Sequence, residues 1–276
     1  LSSFILEACA VEFAYPDGTV ALQGVNMAIE RGKKIAVLGS NGAGKSTLFL
    51  HFNGILRPRR GEIRFAGHKV SYKHKDLLEL RKRVGIVFQD PDSQLFSASV
   101  YQEISFGPLN LGLAEAEVRR RVEQALAATE ISHLRDKPTH ALSYGQKKRV
   151  SLAAILAMEP EVLICDEPTA WLDPRHSRQV MGLLDNISDK GTTVILSTHD
   201  VELAYDWADY VYVMQQGRVI GQGTPAEIFL DEKLLQQADL TQPWLVEVYQ
   251  ALRQRGLTNR PLPRNRQELL ALVLAQ

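Results

Sequence analysis

Cysteine is scarce. The 276-residue chain holds two, Cys9 and Cys165, neither in a CxxC pair, so no disulfide framework is expected and a reducing cytoplasm is the simplest home. Neither sign of charge is in excess: 32 Lys+Arg face 32 Asp+Glu, a balance that points away from nucleic acid or an anionic membrane as partner. The local run Lys147-Lys148-Arg149 reads as a solvated helix face. No apolar run approaches the roughly 18 residues of a membrane span, and residues 152–158 read as a helix segment. The first residues lack the basic-then-apolar pattern of a leader, so no signal peptide is expected. Any action at a membrane would need other chains to supply the membrane part. Repeats, low-complexity tracts and His/Cys/Asp clusters at metal-ligand spacing are also missing. Hydrophobic residues at 45% and charged residues at 23% are those of an ordinary globular chain, long enough for one large α/β domain or one domain with an appendage.

Alternation and turn signals predict strands at 4–15 and 24–30, joined through Asp17-Gly18 and closed at Gly32, hence a small antiparallel sheet at the start. Apolar runs at 34–39, 62–66, 84–88, 162–165, 193–197 and 210–214 suit parallel strands covered on both faces. Helical patterns fall at 45–53, 76–82, 114–129, 144–157, 174–188 and 200–207, the last with Asp200 as N-cap. This alternation predicts an α/β fold with a largely parallel sheet. Residues 90–140 interrupt it with helix-like sequence and read as an inserted helical subdomain. From Pro225 the chain turns helical again. Trp244, Leu245, Val248, Tyr249 and Leu252 share one helix face, 260–264 reads as a rigid linker, and 266–275 as a short Leu-rich helix. The tail either covers its own core or meets a partner.

Gly39-Ser40-Asn41-Gly42-Ala43-Gly44-Lys45-Ser46-Thr47 matches GxxxxGK[ST] between a predicted strand and helix, the context that the motif requires. Its glycines let successive N–H groups converge on a phosphate, and the following helix turns its positive end to the same point. Lys45 would reach the β- and γ-phosphates, and Ser46 would offer Mg²⁺ a hard oxygen donor. Asp166 and Glu167 end the apolar strand 162–165, at the sheet edge where open α/β folds bind ligands. Asp166 is placed to hold Mg²⁺ and Glu167 to polarise an attacking water.

Leu142-Ser143-Tyr144-Gly145-Gln146 narrows the class. The segment resembles the LSGGQ signature of ABC ATPases and precedes the carboxylate pair as it does in that family. The resemblance spans about residues 4–230 and implies an α/β P-loop NTPase core with a mostly parallel sheet, an N-terminal antiparallel β-subdomain, an inserted helical subdomain at about 90–160, and a C-terminal extension over 231–276. It implies that Tyr15 stacks on adenine, that Gln89 reaches the Mg²⁺ and the attacking water, that Asp173 ends the D-loop, and that His199 contacts the γ-phosphate. Ser143, Tyr144, Gly145 and Gln146 would complete the ATP site of a second copy, so two chains are expected, with ATP and Mg²⁺ between them. Two departures stand out: Tyr144 replaces a signature glycine, and Ala170-Trp171 occupies the D-loop where serine is frequent. Residues 89–112 are similar to the Q-loop region of energy-coupling-factor ATPases, most of all the cobalt- and nickel-importer subunits; a vitamin-type importer or a non-transport ABC ATPase is the alternative. That likeness implies a chain peripheral on the cytoplasmic face of the membrane, docked on a transmembrane scaffold through a groove at Asp92, Gln94, Leu95 and Phe96, together with a substrate-binding membrane subunit. The second ATPase chain is either identical or a different one, and the two intact ATP half-sites favour a homodimer.

Overall fold

The computed structural model describes residues 3–274; the last residue of the predicted 266–275 helix lies outside them. Two sheets share the chain. The first uses β1 (Phe4–Ala14) and β2 (Val20–Glu30), joined later by β4 (Arg60–Phe65) and β5 (His68–Lys69). The second begins with β3 (Lys34–Leu38), which runs through the phosphate loop into α1 (Lys45–Phe52). Then follow β4 (Arg60–Phe65), β5 (His68–Lys69), α2 (His74–Arg83), β6 (Val84–Val87), α3 (Val100–Asn110), α4 (Glu115–Ala128), α5 (Tyr144–Leu156) and β7 (Val162–Cys165). The chain continues through α6 (Pro174–Ser188), β8 (Thr193–Thr198), α7 (Val201–Trp207), β9 (Tyr210–Gln215) and β10 (Arg218–Gly223). Four helices close it: α8 (Pro225–Leu230), α9 (Glu232–Gln237), α10 (Trp244–Gln254) and α11 (Arg266–Leu274).

The larger sheet has the order β10-β9-β3-β8-β7-β6, parallel throughout except for the β10–β9 hairpin. Its central strands are continuous apolar runs because both faces are covered. Ala36, Leu38, Leu163, Leu196 and Val211 join a core with α6, α7, α8, α10 and α11. Ile35, Val37, Ile164, Ile195 and Tyr212 face the other way, onto α1 and the antiparallel sheet. A third, separate core joins α3, α4 and α5 through Ile104, Val122, Leu126 and Val150; this is the inserted helical region.

Several expectations need correction. The strand predicted at 62–66 is β4, in the antiparallel sheet of order β2-β1-β4-β5. Ile63 and Phe65 are buried while Arg64 is exposed, the alternation of a half-covered strand rather than a fully buried one. Strand β10 carried no clear signal: it is a half-exposed edge with Gly221 and Gly223 in it, a composition that disfavours strands in isolation. On α10 the buried residues are Leu245, Val246 and Tyr249, while Trp244 and Val248 remain exposed; the apolar stripe is wider than the surface it covers. Segment 260–264 is an anchored strap: the Tyr205 hydroxyl donates to the Pro263 carbonyl at 2.6 Å, and the Arg264 guanidinium donates to the Ala208 carbonyl. With Leu245, Val246 and Leu269 in the main core, the tail covers its own domain.

Candidate nucleotide site

Four adjacent parallel strands, β3, β8, β7 and β6, end at one edge and deliver the four motifs there: the phosphate loop, His199, the Asp166–Glu167 pair and Gln89. Gly44 precedes α1 with φ of 101°, and a Cβ there would meet the Ala21 carbonyl, so the loop's curl excludes any larger residue. Lys45 is buried at 6% exposure. Its Nζ donates to the carbonyls of Gly39 (2.6 Å) and Ser40 (3.1 Å) and lies 4.0 Å from Glu167 Oε1. Burial lowers the Lys45 pKa, opposed by Glu167 and Asp166. The Tyr15 hydroxyl lies 3.0 Å from Thr47 Oγ1. A cavity of about 400 Å³ opens beside the phosphate loop, lined among others by Tyr15, residues 41–47, Gln89, Asp166 and Glu167. A second, of about 530 Å³, shares Asn41, Gln89 and Glu167 with it and adds Trp171 and His199.

Both carboxylates are buried, Asp166 at 7% and Glu167 at 6%. Glu167 takes a left-handed φ of 47°, a conformation uncommon outside glycine that persists where its surroundings over-determine it. Its carboxylate lies 3.2 Å from His199 Nδ1, on an imidazole whose side chain is 71% exposed. A residue that sequence reading missed binds the pair together: the buried Ser197 hydroxyl accepts from the Glu167 N–H at 2.9 Å and donates to Asp166 Oδ1.

The signature segment sits elsewhere. Ser143 and Gln146 form a reciprocal capping box at the start of α5, and the Tyr144 hydroxyl donates to the Gln89 carbonyl at 3.2 Å. Gly145 packs near Leu172 and His176. None of Ser143, Tyr144, Gly145 and Gln146 lines either cavity. Asp173 caps α6, and hydrogen bonds from His176 hold its carboxyl below the usual range. Trp171 stands 84% exposed with a left-handed φ of 64°.

The residues grouped as a groove diverge. Asp92 pairs with Lys147 at 2.5 Å, and Gln94 turns inward to accept from the Phe88 N–H at 3.0 Å. Leu95 packs against the helical-region core. Phe96 is 64% exposed and meets Phe106 edge-on at 4.8 Å. The basic run is also not a solvated face: Lys148 is 3% exposed, because it shares the inward side of α5 with Ser151 and Leu152, three and four residues on.

The family model described as ABC transporter matches residues 22–170. An energy-coupling factor transporter ATP-binding protein EcfA of Methanocaldococcus jannaschii is 49% identical over 252 residues, which is 91% of this chain and 90% of that protein. A putative ABC transporter ATP-binding protein of Methanosarcina mazei is 50% identical over 253 residues, but there the chain spans 56% of the relative's length. Among solved structures, cbiO1 of Clostridium perfringens, described as part of the ABC transporter complex cbiONQ, superposes with a TM-score of 0.77 at 50% identity, covering 90% of this chain and 100% of that one. An ATP-binding cassette solved as a dimer in a post-hydrolysis state with ADP and phosphate gives 0.73 at 25% identity, over 80% of this chain and 99% of that one. With its phosphate loop, carboxylate pair and signature helix in place, the chain belongs to the ABC transporter family, alongside the ATP-binding subunits of energy-coupling-factor transporters.

Proposed function

We propose that this chain is the ATP-hydrolysing subunit of an energy-coupling-factor importer, that it works as a pair of identical copies on the cytoplasmic face of the membrane, and that its cargo is cobalt or nickel. The observation that carries the hydrolytic part is the buried Glu167 carboxylate, held 4.0 Å from Lys45 Nζ and 3.2 Å from His199 Nδ1 at the rim of the phosphate-loop cavity. In this reading Lys45 and the loop N–H groups hold the β- and γ-phosphates, and Tyr15 borders the base. Glu167 takes the proton of the attacking water, and His199 and Gln89 orient that water and the γ-phosphate. Catalysis is then chiefly positioning and charge stabilisation.

Ser46, Asp166 and Gln89 all line the cavity and offer oxygen donors alone, a set that fits Mg²⁺. When bound, the ion would neutralise phosphate charge. The pair is supported by a geometry in which the signature lies outside the chain's own cavities, so its helix N-terminus is free to meet a γ-phosphate held by another copy. Residues 1–230 would form the nucleotide-binding domain and 231–276 an extension that also contributes to the pairing. A transmembrane scaffold would dock on exposed Phe96 and Phe106, and a substrate-binding membrane subunit would hold the cargo. Cobalt or nickel is supported by the likeness of residues 89–112 to metal-importer subunits; uptake assays with cobalt against a vitamin would separate this from the vitamin-type alternative.

The test is ATPase activity and size-exclusion behaviour of wild type and Glu167→Gln, with and without Mg-ATP. Turnover by wild type, with an inactive variant that elutes as an ATP-bound dimer, is the expected result. Equal activity of the two proteins would remove Glu167 from the reaction.

A further inference from the structure

A lysine inside a protein core needs a reason, because an ammonium taken from water costs more than any apolar side chain of similar volume. Lys148 is 3% exposed, and among the described residues no carboxylate oxygen lies within salt-bridge distance of it. Its ammonium donates to one atom, the Glu167 carbonyl, at 3.3 Å. Burial lowers its pKa, against the weaker pull of Cys165, Asp166, Asp90 and Glu167. Packing alone would be better served by methionine or leucine.

The carbonyl that it holds belongs to the residue with the left-handed backbone. Three contacts pin the backbone of that residue: the Glu167 N–H on Ser197 Oγ, and the Glu167 carbonyl under both the Ala170 N–H at 3.1 Å and the Lys148 ammonium. Of these, the Lys148 contact alone comes from α5. Lys148 stands five residues after Ser143, about 7.5 Å along the same helix, and that helix is rigidly begun by the Ser143–Gln146 capping box.

We propose that Lys148 is a positioning residue for ATP hydrolysis: by holding the Glu167 carbonyl it fixes the direction of the Glu167 carboxylate and ties that carboxylate to the helix whose N-terminus carries the signature. The proposal rests on the two-copy reading above. A shift of α5 when Ser143 meets the nucleotide of the second copy is then passed to the carboxylate of its own chain, so each site senses the other.

The experiment compares wild type, Lys148→Met and Lys148→Gln for kcat, KM for Mg-ATP, Mg-ADP affinity by calorimetry, and melting temperature. Methionine keeps the volume and removes the donor. The expected result is a fall in kcat of about tenfold or more with KM and Mg-ADP affinity within about twofold of wild type. The melting temperature should hold or rise, since a buried ammonium is gone. Glutamine, whose amide N–H can still donate to the carbonyl, should recover part of the lost kcat. A methionine variant with wild-type kcat would overturn the proposal while leaving the reading of Glu167 intact. So would a parallel fall of kcat, Mg-ADP affinity and melting temperature with glutamine no better than methionine, since that marks a packing role. A wild-type chain without turnover would overturn the two-copy reading and the proposal with it.

Discussion

Replacing Ser197 by alanine removes one oxygen atom and strands two buried groups. The hydroxyl sits at 0% exposure, accepts from the Glu167 N–H and donates to Asp166 Oδ1. Alanine fits the space, so no steric change accompanies the loss. What remains is an N–H without an acceptor and a carboxylate oxygen without its donor, in a region that excludes water. A hydrogen bond to a charged group together with a stranded buried donor is worth about 3 kcal/mol. For a domain of this size, that is a fall in melting temperature of about 6–12 °C. The effect on turnover is separate: with its N–H released, the Glu167 backbone is held by its carbonyl alone, and a displacement of its carboxylate of about 1 Å lowers kcat by about tenfold to a hundredfold. Thermal melts and steady-state ATPase assays on Ser197→Ala read both. A variant melting within about 2 °C of wild type with unchanged kcat would refute the argument, because it would mean that the Asp166–Ser197–Glu167 linkage neither stabilises the sheet edge nor positions the carboxylate.

Phe96→Asp places a charge on a residue 64% exposed; ATPase activity of the isolated chain should stay within about twofold, while co-purification with the membrane scaffold is lost, and a retained complex would rule out docking there. Cys165 is enclosed in the sheet, and burial pushes its thiol up to about 12, so at pH 8 roughly one molecule in ten thousand carries the thiolate. Iodoacetamide should therefore leave Cys165 unlabelled in the native protein and label it in urea, as mass spectrometry would read. His51 is fully buried with Nδ1 on the Thr47 carbonyl at 2.7 Å, and burial lowers its pKa despite that bond. The unfolded chain then binds a proton that the folded ring refuses, so this contribution to stability is present above about pH 6.5 and is lost as pH falls below it. Urea titrations at pH 5.5 and 7.5 should show a smaller difference for His51→Gln than for wild type.

The phosphate loop, strand 162–165 and helices at 144–157 and 174–188 were readable because each signal is local: a glycine spacing, an apolar run, a cap three residues from its partner. Gln94 was not. In a loop without periodicity a polar side chain beside Phe96 gives no sign of its direction, and this one turns in to satisfy the Phe88 N–H. The half-exposed β10 failed for a related reason, since an edge strand with two glycines has neither the run nor the alternation that marks a strand.

Ser197 and Lys148 failed differently, and their cases show where more could have been read. Both act on Glu167 from 30 and 19 residues away, so no window along the chain contains the interaction. Yet the wheel of α5 sets Lys148 in line with Ser151 and Leu152, and that spacing in the sequence alone argues against a solvated face. For Ser197 the route runs through chemistry. If His199 and the Asp166–Glu167 pair serve one phosphate, their strands must end side by side. The observed pairing of Cys165 with Leu196 is the register that results, and it sets Asp166 beside Ser197. A hydroxyl at that point, after the apolar run Val194–Leu196 on a buried strand, is then next to the carboxylates, and a buried hydroxyl needs a partner. Requiring separate motifs to meet at one ligand thus converts a functional hypothesis into strand order, and strand order into the contact that holds Glu167 in its left-handed turn.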